Sequence, residues 1–322
     1  MTNAEKIKTK ISMEKAKNLM KMFDYSFADY EKLNMVPYDK VIAPGSYGFD
    51  GRNAKMFKLC DSKNFGEMIN EIQGNPDCSF VTYANSVIKE GIVPEKLSVM
   101  DKTSDKVSVI NESIAAKVLN YFGVPTSYYL LANNKSQNHS VSVDFIGENE
   151  EFIELYTMLP KVDDVYIIGQ TYRMVNIVEH YLKNLFKGNE PKNFKQNFEK
   201  FKKDLIISFF VRQFVLGDTD CGMSNVGLLI NTETWDFRLI NFDLEWTMTK
   251  WLSAENFNFE YAMRECPKEV KQIYNKCAEL LKAMDEVYPS LADMPINLLP
   301  IRNNIVNLLF TIKKYEAEKV SG

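Results

Sequence analysis

Histidine and cysteine are scarce in this chain, and their scarcity excludes several kinds of site. Only 2 histidines, His139 and His180, occur among 322 residues. Histidine-ligated metal sites and Ser-His-Asp hydrolases depend on histidine, so the sequence gives little support to either class. The 5 cysteines are odd in number and contain no Cys-x-x-Cys pair. This usage predicts buried thiols in a reducing compartment rather than a disulfide framework.

Long apolar runs and a strong excess of charge are also missing from the sequence. The longest apolar run, Leu205–Leu216, is interrupted by Arg212 and Gln213, and a membrane-spanning helix needs roughly 20 apolar residues. We therefore expect a buried helix there and no membrane association. The N-terminal residues are polar and do not resemble a signal peptide. The net charge of −4 argues against direct binding of nucleic acid. We expect a cytoplasmic protein, with secretion into a host without a signal peptide as the alternative.

The pattern of apolar residues indicates an α+β protein of ordinary composition. Hydrophobic residues make up 45% and charged residues 25% of the chain, which is typical of a globular protein with a sizeable core. Strand-like runs come first, as in Thr126–Ala132 and Ser140–Ile146, whereas helical periodicity dominates after Glu151, as in Pro267–Tyr288 and Pro300–Tyr315. We predict an N-terminal helical extension at residues 1–34, a mixed strand–helix unit at residues 35–150 and a helical unit at residues 151–322.

The stretch Leu205–Glu245 contains the strongest functional pattern in the chain. A buried helix is followed by a polar loop and then by two short apolar runs joined by a turn. Asp220 and Asn225 lie on the loop, and Asp243 follows the second apolar run. A phosphoryl-transfer site needs one carboxylate to accept the proton of the attacking hydroxyl, and an amide oxygen and a second carboxylate to hold magnesium against the phosphates of ATP. Protein kinases and their relatives supply these groups in this order.

A glycine-rich stretch earlier in the chain is compatible with phosphate binding. Gly45, Ser46 and Gly48 precede a predicted strand that carries Lys55 and Lys58. Glycines let the backbone approach phosphates closely, and a lysine on the next strand can reach the same phosphates. The two lysines fall on opposite faces of a strand, so spacing alone does not decide between them.

The segment Asn111–Phe122 predicts a helix, with Asn111 as its N-cap and Gly123 just after its end. Glu112 lies in the first turn of this helix, where it could pair with the strand lysine and fix it on the phosphates. Glu67 and Glu71 are alternative partners. The intervening residues 97–105 are polar and predict a loop, to which we assign no chemistry.

These motifs resemble those of the HipA-like kinases, a group of atypical Ser/Thr protein kinases in bacteria that includes the CtkA type. The resemblance rests on residues 217–225, on Asn241-Phe242-Asp243, and on the Asn111-Glu112 helix with its Gly-Val-Pro exit. It implies a two-lobed protein-kinase-like fold, with a mixed first lobe built on an antiparallel sheet and a mostly helical second lobe. The family usually carries a histidine two residues after the catalytic aspartate, where this chain has Gly222.

The resemblance also implies a set of roles. Asp220 would be the catalytic base, and Asn225 and Asp243 would hold Mg²⁺. Lys58, held by Glu112, would bind the phosphates of ATP. The glycine loop would contribute Gly45, Ser46 and Gly48, and Ser46 matches a serine that some members autophosphorylate. Backbone groups near Asp144 and Phe145 would meet the adenine.

The acceptor implied by the resemblance is a serine or threonine of an unidentified protein, and an antitoxin or a host protein would be the partner. Two alternatives stay open from the residues themselves. One is a pseudokinase or nucleotide-gated binding module, and the other is a kinase-fold enzyme that phosphorylates a non-protein acceptor.

Overall fold

The computed structural model describes residues 11–38, 55–61, 96–127, 129–147, 149–158, 171–188, 190–245, 247–248 and 257–321. The predicted glycine loop with Gly45, Ser46 and Gly48 lies outside these residues, as do the alternative glutamates Glu67 and Glu71.

The first part of the fold is built on a six-stranded sheet with the order β1-β5-β6-β4-β3-β2. The described neighbours in this sheet are antiparallel, apart from the parallel pair β1–β5. Helix α1 precedes the sheet, and helix α2 connects β4 to β5. The elements are α1 (Met13–Met20), β1 (Ala28–Asp29), β2 (Val36–Pro37), β3 (Lys55–Asp61), β4 (Lys96–Ser104), α2 (Lys106–Phe122), β5 (Leu130–Asn133) and β6 (Asn138–Val143).

Strand β4 replaces the loop that the sequence predicted at residues 97–105. It pairs with β3 on one side and with β6 on the other, so it is a central strand. Asp105 is the N-cap of α2, where its carboxylate accepts hydrogen bonds from the backbone N–H groups of Val107 and Ser108. The helix therefore begins at Lys106 rather than at Asn111, and Glu112 lies in its second turn. The prediction failed because the polar residues of β4 have buried partners contributed by distant segments.

The second part of the fold combines a small sheet with helices. Three antiparallel strands have the order β7-β8-β9. The hairpin β8–β9 and the buried helix α4 before it confirm the prediction for residues 205–245. Strand β7 was not predicted, because its short run was taken for the start of the helical region. The elements are β7 (Glu150–Glu154), α3 (Thr171–Phe186), α4 (Phe194–Phe214), β8 (Val226–Asn231), β9 (Phe237–Asn241), α5 (Phe257–Glu265), α6 (Pro267–Val287) and α7 (Leu299–Ser321).

The largest apolar core lies among the helices, where the phenylalanines of α4 are buried. A smaller apolar cluster joins the two sheets, and its buried members are Met100, Phe145, Phe152, Leu229, Ile240 and Phe242. The predicted fold class is confirmed: the protein is α+β, with a mixed sheet first and a mostly helical part after it. The four cysteines that the structure describes are buried free thiols, as predicted. Within the described ranges, no helix is both long enough and apolar enough to cross a membrane.

Candidate active site

Two adjacent charged residues on β4 face opposite sides of the six-stranded sheet. Asp101 and Lys102 are each only 3% exposed. Successive side chains on a strand alternate between the two faces. Lys102 accordingly points toward helix α2 and the segment after β9. Asp101 contacts Lys58 and His139 on the opposite face, which we call the outer face. A buried charge needs a partner, and β4 therefore has one ionic cluster on each face.

Lys102 lies among three carboxylates. Its Nζ is 2.6 Å from Oδ1 of Asp243, 3.0 Å from Oε2 of Glu245 and 3.3 Å from Oε1 of Glu112. Burial alone would lower the pKa of Lys102, but the charges of Glu112, Asp243 and Glu245 outweigh burial and raise that pKa well above its usual range. The lysine is therefore a permanent cation, held where residues from β4, α2 and the chain after β9 meet.

The two predicted carboxylates of this cluster are held in place by further hydrogen bonds. Glu112 is 1% exposed, and its Oε2 accepts a hydrogen bond of 2.7 Å from the hydroxyl of Ser140, which pairs with Lys102 across the sheet. Asp243 has a left-handed backbone with φ of 55°, and its N–H donates to the hydroxyl of Tyr129 at 3.2 Å. Burial and the nearby charge of Glu112 raise the pKa of Tyr129, so this hydroxyl stays neutral.

The loop between α4 and β8 brings Asp220 and Asn225 together. Nδ2 of Asn225 donates to Oδ2 of Asp220 at 3.0 Å and to the backbone oxygen of Asp220 at 2.7 Å. Asn225 is buried, whereas Asp220 is exposed. The amide therefore orients a carboxylate that an incoming molecule can reach. Among the described residues, Oδ1 of Asn225 has no hydrogen-bond partner, which leaves that oxygen available as a ligand.

Arg212, a fully buried residue of α4, organises this loop. Its Nε donates to Oδ2 of Asp218 at 2.7 Å, and its Nη1 donates to the backbone oxygen of Asn225 at 3.0 Å and to Oδ1 of Asn241 at 3.3 Å. The other carboxylate oxygen of Asp218 accepts the N–H of Asp220 at 3.0 Å. One guanidinium group thus fixes both ends of the loop and the end of β9.

A backbone hydrogen bond connects the loop to the lysine cluster. The N–H of Phe242 donates to the backbone oxygen of Asn225 at 3.2 Å, one position beyond the last pair of the β8–β9 ladder, Val226 with Asn241. Asp243 follows directly. The hairpin therefore positions the two predicted metal ligands at the same end of one small sheet.

The predicted pairing of Lys58 with Glu112 is wrong. Lys58 donates to Oδ2 of Asp101 at 2.7 Å and to the hydroxyl of Tyr30 at 2.6 Å. His139 completes this cluster, with its Nδ1 2.9 Å from Oδ1 of Asp101 and its ring stacked on Tyr30. Lys58 lies opposite Val99 on β4. Val99 and Lys102 are separated by an odd number of positions, so their side chains point to opposite faces of the sheet. Lys58 therefore lies on the face of Asp101, away from Lys102. The lysine that Glu112 holds is Lys102.

Sequence reasoning missed three residues of this site, although each had a signal. Lys102 follows alternating buried residues such as Leu97 and Val99, which is a strand pattern. Arg212 is the charged residue inside the apolar run Leu205–Leu216, and a buried charge requires a partner. Glu245 lies two residues after Asp243 in the same motif.

Gly222 has an extended backbone, with φ of −127° and ψ of 178°. A Cβ there would meet Oγ of Ser224 at 3.7 Å, an ordinary van der Waals distance. The fold does not require glycine at this position.

The predicted adenine-binding backbone groups are partly engaged within the protein. The N–H of Asp144 donates to the backbone oxygen of Ser98 at 2.9 Å. The backbone oxygen of Phe145 accepts from Nη2 of Arg238 at 3.1 Å, and Arg238 also forms two hydrogen bonds with Glu150. These bonds fix the connection between the two sheets.

The donor set fits a hard cation such as Mg²⁺, which prefers oxygen ligands and usually keeps water or phosphate oxygens in its remaining positions. Oδ1 of Asn225 and the carboxylate of Asp243 are such oxygens. No group of three or more His, Cys, Asp or Glu side chains in the described ranges is arranged to hold a metal by itself. A cation held here would therefore depend on oxygens from a second ligand.

Comparison with known proteins gives a distant structural likeness. No protein-family model and no curated protein matches the chain. Among solved structures, it is similar to the crystal structure of the Helicobacter pylori proinflammatory kinase CtkA, with 13% sequence identity and a TM-score of 0.46. The match covers 71% of this chain and 91% of that chain. At this identity and TM-score, the roles of individual residues rest on the geometry alone.

Proposed function

We propose that this protein is an ATP- and magnesium-dependent phosphotransferase that phosphorylates serine or threonine residues of a protein. The observation that supports this most strongly is the position of Lys102, which lies between Glu112 of α2 and Asp243 at the hairpin exit. In protein kinases a strand lysine paired with a helix glutamate binds the phosphates, and an aspartate beside it holds the metal. The ordered pair Asp220 and Asn225 supplies the remaining groups of such a site.

Each residue has a defined task in the proposed reaction. Lys102 binds the α- and β-phosphates, and Glu112 keeps the ammonium group in place. Asn225 and Asp243 would hold Mg²⁺, and the cation would neutralise charge on the phosphates. Asp220 orients the acceptor hydroxyl and accepts its proton as the oxygen attacks the γ-phosphorus, and ADP leaves with the electrons of the broken P–O bond. Nδ2 of Asn225 keeps the carboxylate of Asp220 in position before the acceptor arrives.

The adenine would lie beside the apolar cluster between the sheets. Phe57 and Ile146 are the partly exposed residues packed on that cluster, and Phe57 lies on the same sheet face as Lys102. An apolar surface next to a phosphate-binding lysine is the combination that a nucleotide requires.

The choice of a protein acceptor rests on the resemblance to HipA-like kinases. An antitoxin or a host protein as partner is part of the same proposal. Two assignments compete with this proposal: phosphate transfer to a small molecule, and binding of nucleotide without any transfer.

The test is magnesium-dependent transfer of labelled phosphate from ATP to protein. Wild type is compared with Asp243→Ala and with Asp236→Ala. Asp236 is a control on the turn of the same hairpin, and its carboxylate accepts hydrogen bonds from Asn193, Asn197 and Thr234. We expect label on serine or threonine in wild type and in the control, and none in Asp243→Ala. Nucleotide binding without label on protein would argue for one of the competing assignments, and no nucleotide binding would contradict the proposal altogether.

A further inference from the structure

Glu245 is the member of the Lys102 cluster that the proposed reaction does not use. Its Oε2 lies 3.0 Å from Nζ of Lys102, and its side chain is 14% exposed. An ammonium group has three N–H donors, and three carboxylates surround this one. A phosphate that binds Lys102 must therefore displace one of them.

Glu112 and Asp243 are the less suitable residues to move. The carboxylate of Glu112 is buried and also bonded to Ser140, and Asp243 is needed for the metal. Glu245 approaches Lys102 from the chain after β9, four residues beyond the last residue of that strand. It is the carboxylate that an incoming phosphate would replace.

The charges of the cluster make this exchange depend on a cation. One ammonium group and three carboxylates leave an excess of two negative charges around the place where phosphates must bind. Carboxylate–phosphate repulsion at close range is strong in a partly buried site. A divalent cation that arrives with the nucleotide offsets this excess, whereas metal-free nucleotide meets it in full.

We propose that Glu245 makes the site selective for nucleotide complexed with a divalent cation over metal-free nucleotide. The inference rests on the proposed function, because it assumes that nucleotide phosphates bind at Lys102. Glu245 is a specificity-determining residue in this account. It holds Lys102 in the absence of nucleotide and repels phosphates that carry no cation.

The experiment measures the Kd of ADP by calorimetry, once with EDTA and once with excess magnesium. ADP is used because it binds without being turned over. We expect wild type to bind ADP much more tightly with magnesium. Glu245→Gln should lower the Kd measured in EDTA by about tenfold, because it removes one negative charge that repels the metal-free phosphates. In magnesium, the Kd should change by less than about threefold, because the cation offsets the charge of Glu245.

Two further variants separate charge from structure. Glu245→Asp keeps the charge and should keep the wild-type ratio of the two Kd values. Glu265→Gln removes a carboxylate that pairs with Lys202 at the same distance of 3.0 Å, away from this cluster, and should also keep the ratio. Thermal melting confirms that each variant is folded.

Three results would overturn the inference. An equal change of both Kd values in Glu245→Gln would show that its charge does not discriminate. A loss confined to the magnesium condition would make Glu245 a metal ligand instead. No binding of ADP by wild type in either condition would reject the proposed function itself, and the inference with it.

Discussion

Replacing Lys102 and Lys58 separately tests the most consequential assignment in the site. The sequence predicted that Lys58 binds the phosphates, and the structure instead places Lys102 beside Glu112 and Asp243. Methionine is similar in length to the lysine stem and lacks the ammonium group with its charge and N–H donors, so the variants are Lys102→Met and Lys58→Met. Lys96→Met, on the same strand as Lys102 and at an exposed position, is the control.

Both variants are expected to lose stability, so stability alone does not distinguish the two lysines. Removing one partner of a buried ion pair costs roughly 3–5 kcal/mol. In Lys102→Met, the side chains of Asp243 and Glu245 are 18% and 14% exposed, so water can partly hydrate their carboxylates. We therefore expect the free energy of unfolding to fall by about 3 kcal/mol, the lower end of that range. For Lys58, Asp101 keeps its contacts with Tyr30 and His139, and we expect about 2 kcal/mol.

Nucleotide affinity does distinguish them. The assay is calorimetric titration with magnesium–ADP, well below the melting temperature of each variant. Lys102→Met loses charged hydrogen bonds to phosphate, and its Kd should rise by about 100-fold or more. Lys58 lies on the other face of the sheet, and Lys58→Met should stay within about threefold of wild type. Loss of binding in Lys58→Met together with normal binding in Lys102→Met would refute the assignment.

Three other predictions concern residues around the site. Asp220→Asn should reduce phosphate transfer by about 10³-fold and leave the Kd of magnesium–ADP unchanged, because the residue acts on the acceptor; weakened ADP binding would contradict this role. Gly222→His should fold with an unchanged melting temperature, because the backbone is extended and a Cβ meets Ser224 at 3.7 Å; a large drop in melting temperature would contradict the geometry. Asp105→Ala should lower the free energy of unfolding by about 1 kcal/mol near neutral pH through loss of the N-cap. Hydrogen bonds from the side chain and backbone of Ser108 lower the pKa of Asp105 in the folded protein. The contribution of Asp105 to the free energy of unfolding is therefore complete above its ordinary pKa and is lost as the pH falls through its folded-state pKa. Urea unfolding as a function of pH should show the difference between wild type and Asp105→Ala disappearing in acid, and a difference that persists there would contradict the prediction.

The predictable part of the site lies in short, local patterns. The hairpin Val226–Asn241 was predicted because two apolar runs flank a turn, and its ends fix the positions of Asn225 and Asp243. The order of a buried helix, a polar loop and a hairpin needs no knowledge of distant contacts. The same holds for the later core helices, whose apolar periodicity is strong.

The unpredicted part depends on contacts between distant segments. Lys102 and Asp243 are separated by 141 residues in sequence, and Asp101 is matched by Lys58 from β3 and by Tyr30 from the segment before β2. Because those partners are far away in sequence, the local sequence of β4, with Asp101 next to Lys102, looks like that of a polar loop. Glu112 does contact a strand lysine, but which lysine it contacts depends on the face of the sheet that each lysine occupies.

The most direct test of the central claim is phosphate transfer by wild type and Lys102→Met under identical conditions. Labelled ATP and magnesium are supplied, and label on protein serine or threonine is quantified for the same amount of folded protein. The account predicts transfer in wild type, loss of nearly all transfer in Lys102→Met, and wild-type transfer in Lys96→Met. Full transfer by Lys102→Met would contradict the assignment of this cluster as the phosphate-binding centre.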